Sequence, residues 1–231
     1  MAQSFGYVLN RRPYRDSSLL VDIFTQEYGR ICCVARPARK RGKIVKGNLE
    51  PFRYNYFQWI GKGDVQTLTE ADERGRHKIP PSELMLGLYL NELQLLLTRQ
   101  HVPMPELFSA YKYTLHKLSD NQINKQILMR FELYLLTMLG YSLDAKSNTE
   151  IHPKMRYLLT RDEGLIETSS TNSTIETKLL MEKSISGQLL MAIQDLPSLS
   201  EKQWQQLRNL LDAVFQAIAP RTIHSRQLLK L

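Results

Sequence analysis

The sequence predicts an α+β protein: a five-stranded N-terminal β-barrel followed by a mainly α-helical domain with a small β-hairpin insertion. Two observations carry this expectation. Apolar residues alternate with a period of two through about residue 70, and beyond Pro80-Pro81 they recur every three to four residues. A third observation, the crowding of basic residues into the first third of the chain, bears on function. At 231 residues with 42% apolar and 23% charged residues, the chain can bury one large or two small cores, which excludes a disordered or fibrous protein.

Phe5, Tyr7 and Leu9 alternate with Gly6, Val8 and Asn10, and Leu19, Val21 and Ile23 repeat the pattern. Glu27-Tyr28-Gly29 supplies a turn into Arg30-Ile31-Cys32-Cys33-Val34-Ala35, so the second and third strands form a hairpin. The fourth strand covers Phe52 to Ile60, with Phe52, Tyr54 and Tyr56 on one face and Phe57 and Trp59 on the other. Gly61-Lys62-Gly63-Asp64 then turns into Val65-Gln66-Thr67-Leu68-Thr69. Five short strands in about 70 residues are the pattern of a small OB-type barrel.

Pro80-Pro81 stops the last strand, and Ser82 is placed to cap a helix, so the expected domains are 1–79 and 80–231. Residues 83–98 are apolar around nearly the whole circumference, which predicts a helix in the middle of a bundle. Helices are expected at 105–118 and at 124–139, the second ended by Gly140. An irregular insertion at about 142–177 holds a hairpin, Arg156 to Thr160 and Leu165 to Glu167 around Asp162-Glu163-Gly164, followed by a polar TSSTNST loop. Helical spacing resumes over 178–194, 200–218 and briefly at the end.

Several function classes fall away. The greasiest stretch, Leu84 to Leu97, is broken by Asn91, Glu92 and Gln94 and falls short of the roughly 18 apolar residues of a membrane span. The first sixteen residues put their arginines after the few apolar ones, the wrong order for a secretory signal, so a cytoplasmic location is expected. Cys32 and Cys33 are adjacent and offer neither an ordinary disulfide nor a spaced zinc pair. The five histidines lack metal-ligand spacing, and no HExxH, GxSxG or phosphate-binding loop occurs. Glu70, Asp72 and Glu73 stand beside Arg74 and Arg76 and read as a charged solvent face rather than nuclease carboxylates. No enzyme chemistry, metal or cofactor is expected.

The net charge of +8 is unevenly spread. Through Lys78 there are 15 Lys and Arg against 8 Asp and Glu; the remainder holds 16 against 15. Arg36, Arg39, Lys40, Arg41, Lys43 and Lys46 lie in RPARKRGKIVK, which contains no carboxylate. A solvated loop is the plain alternative, but a flexible run of six cations is suited to track a phosphate backbone without reading bases.

Six segments are similar to those of RecO, the bacterial recombination-mediator family: Ser18 to Thr25 with Tyr28-Gly29-Arg30; the basic segment ending Lys46-Gly47 with Leu49-Glu50-Pro51-Phe52; Tyr89 to Leu93; Arg130-Phe131-Glu132 leading to Leu139-Gly140-Tyr141; Ser186 to Leu189; and Ser225 to Leu228. Their order spans the whole chain. The resemblance implies an OB domain before a helical domain, agreeing with the periodicity. It also implies binding to single- and double-stranded DNA, annealing of complementary strands, and action with RecR and the single-stranded-DNA-binding protein to load recombinase at gaps, in a cytoplasmic, nucleoid-associated protein. Some family members carry a four-cysteine zinc motif after the Leu-Gly-Tyr segment; here 142–177 contain no cysteine, so no zinc is expected.

On this reading the DNA-binding residues are Arg36, Arg39, Lys40, Arg41, Lys43 and Lys46. Tyr54, Tyr56 and Trp59 are candidates for base stacking, although most rings in a small barrel fill its core. The resemblance further implies that the helical domain receives the acidic, Phe-ended tail of the single-stranded-DNA-binding protein, for which Arg130, Phe131 and Leu135 are the expected site. The alternatives are an RNA-binding OB protein and, in a different class, a metal-dependent nuclease.

Overall fold

A computed structural model of the chain describes residues 1–15, 17–36, 44–143, 150–160, 164–168 and 184–229. The five N-terminal strands are β1 (Ala2–Tyr14), β2 (Ser18–Thr25), β3 (Gly29–Ala35), β4 (Arg53–Ile60) and β5 (Val65–Arg76). They are followed by helices α1 (Leu84–Leu97), α2 (Pro105–Ser119) and α3 (Lys125–Met138). Strands β6 (Arg156–Leu159), β7 (Leu165–Glu167) and β8 (Ile185–Ser186) come next, then helices α4 (Gly187–Ala192), α5 (Glu201–Ile218) and α6 (His224–Leu228). Packing divides the chain into two compact units, Met1–Ile123 with Ile223–Leu231, and Asn124–Thr222.

The barrel closes in the order β1-β2-β3-β5-β4, with every pair antiparallel except β3 and β5. This is the expected OB-type arrangement. Alternation sends Val8, Val21, Ile23, Ile31, Cys33, Phe57, Trp59 and Leu68 inward, and Leu49, from a 3₁₀ turn over Lys46–Leu49, joins them. Burial pushes the Cys32 thiol up to about 11 and the Cys33 thiol up to about 12, so both serve as small apolar strand residues. Gly29 takes φ +67°, and a Cβ there would lie 2.0 Å from the Val102 carbonyl oxygen, so only glycine fits.

Outside the barrel, the ring of Tyr7 meets Phe108 and Tyr111 of α2, and Phe24 meets the same pair. The Asn91 side chain donates to the Leu9 carbonyl at 3.0 Å, tying α1 to β1. The expected position of α1 in a helical bundle is thus corrected. It packs on the barrel and on α6, while Leu84 and Leu88 face solvent. Its buried residues are Gly87, Tyr89, Leu90 and Leu93 with the amides Asn91 and Gln94 among them. Glu92 on α1 accepts the backbone N–H of His224 at 3.1 Å and that of Ser225 at 2.8 Å, which draws the C-terminal helix back onto this unit. The secondary-structure change falls at Pro80-Pro81, but the packing division falls after Ile123, because α1 and α2 cover the barrel.

In the second unit, Asn124 caps α3 by accepting the Ile127 N–H at 3.0 Å, and Gly140 follows its end with φ +89°. A capping box between Ser200 and Gln203 starts α5. The hairpin of β6 and β7 forms as expected and is extended by β8 into a three-stranded antiparallel sheet. The expected helix over 178–194 is corrected at its described end: Ile185 and Ser186 pair with Tyr157 and Arg156, and α4 begins only at Gly187. Residues 178–183 and the loop residues 169–174 lie outside the described residues.

Candidate nucleic-acid interface

The pairing register gathers cations at one end of the barrel. Tyr14 pairs with Ser18, Leu19 with Ala35, Tyr7 with Tyr54 and Arg53 with Arg76, so the exits of β1, β3 and β5 share an end with the entries of β2 and β4. Arg11, Arg12, Arg15, Arg36, Arg53 and Arg76 sit at or near these termini, and the segment from 36 to 46 departs from the same end. The opposite end carries the 26–28 and 61–64 turns.

Part of this charge is neutralised. Arg11 meets Glu50 at 2.6 Å; Glu73 takes both Arg53 and Arg76; Arg12 lies 3.9 Å from Asp22. Partial burial pushes the Glu73 carboxyl up, but bonds from Arg76 and Arg53 outweigh it and leave the group below the usual carboxylate range. Arg15, Arg36 and Lys46 are exposed and pair with no described carboxylate. Of the six expected DNA-binding residues, Arg36 stands at this end and Lys46 opens the 3₁₀ turn ahead of β4; Arg39, Lys40, Arg41 and Lys43 lie outside the described residues. Sequence reasoning missed Arg12, Arg15 and Arg53, whose shared location follows only from strand register.

The aromatic candidates separate by face. Trp59 is 2% exposed among the core side chains, which corrects its assignment as a stacking ring: strand alternation turns it inward with Phe57. Tyr54 and Tyr56 point outward and are half-buried. Phe5 of β1 lies between them, near-parallel to Tyr54 at 5.2 Å and edge-on to Tyr56 at 5.3 Å. The Lys112 ammonium stands 4.1 Å from the Tyr54 ring centroid, and the Arg74 guanidinium 5.9 Å from that of Tyr56.

In the second unit, a groove of about 390 Å³ is lined by Arg130, Leu133, Tyr134, Leu143, Asp195 and Pro197, among others. Arg130 is exposed at its edge. Phe131 and Leu135 do not line it: at 3% and 0% exposure they face the unit's core, correcting their expected place beside Arg130. The helical period explains this, since the residues sharing a face with position 130 are 133, 134 and 137.

The family model described as "Recombination protein O N terminal" matches residues 1–74, and that described as "Recombination protein O C terminal" matches 81–227. The chain belongs to the RecO family. A protein named DNA repair protein RecO from Glaesserella parasuis is 39% identical over 176 residues, 73% of each chain. A second of that name from Vibrio parahaemolyticus is 37% identical over 165 residues, 69% of this chain and 68% of the relative. A third from Chromobacterium violaceum is 37% identical over 165 residues, 70% and 67% of the two chains.

RecO is a family of DNA-repair mediators and not of enzymes. Among the described residues of this RecO-family chain, no three His, Cys, Asp or Glu side chains are grouped to hold a metal ion. No described helix is long and apolar enough to cross a membrane.

Proposed function

We propose that this RecO-family chain binds single- and double-stranded DNA through the cationic end of its barrel, anneals complementary strands, and helps load recombinase onto gaps covered by single-stranded-DNA-binding protein. One observation carries the reading: strand register brings Arg12, Arg15 and Arg36 to the end of the barrel at which the carboxylate-free segment begins. Annealing needs no nucleophile. It needs the mutual repulsion of two phosphate backbones to be screened while the bases find register, and cations that ignore sequence supply that screening.

RecR and the single-stranded-DNA-binding protein are the proposed partners. The groove at Arg130 has the features an acidic, Phe-ended tail requires: a cation at the edge and an apolar lining from Leu133, Tyr134, Leu143 and Pro197. With Phe131 and Leu135 facing the core, Leu133 and Tyr134 take their place in the proposal.

Annealing of two complementary oligonucleotides coated with the single-strand-binding partner tests the whole reading. Acceleration by the chain is expected; inhibition or indifference overturns it. If about four cations of the basic segment contact a single strand, affinity falls with salt at a log–log slope near −3, from about −0.7 per phosphate. Replacing Arg39, Lys40 and Arg41 by Ala flattens that slope, and an unchanged slope removes the segment from the site. Competition between DNA and RNA oligonucleotides of one sequence separates this reading from an RNA-binding one.

A further inference from the structure

We infer that the outward faces of β1 and β4, with α2 beside them, form a stacking track for unpaired bases: Phe5, Tyr54 and Tyr56 are its platforms, and Lys112 and Arg74 its phosphate contacts. The inference rests on the DNA-binding reading above and adds the residues that distinguish single strands from duplex.

The rings form one row. Phe5 stacks on Tyr54, meets Tyr56 edge-on, and Tyr54 in turn lies 5.3 Å from Tyr7. The inner end of the row has a structural role: Tyr7 is fully buried under Phe108 and Tyr111, with its hydroxyl 3.0 Å from His77 Nε2. The outer end does not share that cover. Phe5, Tyr54 and Tyr56 are each half-buried, leaving three neighbouring rings open to solvent in part.

Both flanking cations are exposed, Lys112 on α2 and Arg74 on β5. Two carboxylates stand nearby: Asp72, paired with Arg74 at 2.8 Å, and Glu27, bonded to the Ser4 hydroxyl. The local field is therefore weak, and stacking rather than charge must supply the selectivity. Tyr54 is adjacent in sequence to Arg53 at the cationic end, so a strand held there by its backbone can lay its next bases on the row. A duplex cannot, because its bases are already stacked on one another and their faces are hidden. Every unpaired base offers a π-face, so the track favours single strands without reading sequence.

The test uses the full chain and three labelled ligands in an anisotropy assay: an oligo-dT, an abasic strand of equal length, and a duplex. Oligo-dT should bind about a hundredfold tighter than the abasic strand, the equivalent of two stacked bases. Tyr54→Leu and Tyr56→Leu, which keep an apolar side chain on the barrel, should each weaken oligo-dT about tenfold while duplex and abasic affinities hold within about twofold. Lys112→Ala should lower the oligo-dT salt slope by about 0.7. Equal binding of oligo-dT and abasic strand, or variants that weaken all three ligands alike, overturns the track and leaves the DNA-binding reading standing. No binding to any of the three overturns that reading itself.

Discussion

Arginines in the two compact units meet different fates. At the barrel's cationic end Arg53 and Arg76 share Glu73 near the surface, Arg11 meets Glu50, and Arg15 and Arg36 pair with no described carboxylate. In the second unit Arg208, 3% exposed, holds both carboxylate oxygens of Glu132, itself 0% exposed, at 2.9 and 2.7 Å, and also reaches Asp212 at 2.7 Å. At that end Arg12, Arg15 and Arg36 are exposed and stay where a phosphate can reach them. Charge inside the second unit fixes α3 against α5 and is closed to any ligand. A basic composition therefore says little about binding until burial has sorted the cations.

The largest effect expected from this contrast is on Arg208. Arg208→Met takes from the buried Glu132 the guanidinium that holds both its carboxylate oxygens, and breaking such a pair costs about 3–5 kcal/mol. Urea unfolding should show that loss, and Glu132→Leu added to Arg208→Met should restore much of it, since the penalty belongs to the buried carboxylate that has lost Arg208. A single variant within 1 kcal/mol of the parent, on the order of a surface pair, would place Arg208 with the rim arginines and erase the distinction.

A second, smaller effect concerns pH and the barrel unit. Burial, then the positive charges of His116 and Lys112, hold the His77 imidazole down to about 4 from its ordinary 6.5. The unfolded chain takes up that proton near 6.5 and the folded chain does not until about 4. Stability is therefore full above about 6.5 and falls as pH drops through this window, the folded state binding fewer protons. Melting temperatures from pH 7 to 4 should fall more steeply for the parent than for His77→Gln, which keeps a partner for the Tyr7 hydroxyl. Parallel profiles would sink the assignment.

How much of this was legible beforehand follows from the kind of order involved. Period-two alternation and the turn residues located all five barrel strands, and Gly140 marked the end of α3, because these signals are local. Alternation separated Tyr54 and Tyr56 from Phe57 and Trp59 but not inside from outside; that needs α2 and the opposite barrel wall. β8 was missed because two residues carry no period, and Ile185-Ser186 becomes a strand only by pairing with β6. Leu133 and Tyr134 could have been found: their spacing of three and four from Arg130 puts them on its face, whereas Phe131 and Leu135 lie about 100° and 140° away by the 3.6-residue period. The cationic end needed register, since Arg12, Arg15, Arg36 and Arg53 are scattered over some forty positions.

The smallest effect sharpens the contrast most, because it changes only burial. Lys125 Nζ lies 2.7 Å from Glu201 within the same unit as Arg208 and Glu132, but the side chains are 47% and 85% exposed. Lys125 also stands 5.2 Å from the Trp204 ring. Water solvates both charges almost as well apart as together, so Lys125→Ala should cost no more than about 1 kcal/mol, and less at high salt. The same unfolding assay that reports Arg208→Met measures it. A loss comparable to that of Arg208→Met would mean that contact distance, not desolvation, sets the value of an ion pair in this unit, and the exposed barrel arginines would then have to be regarded as structural too.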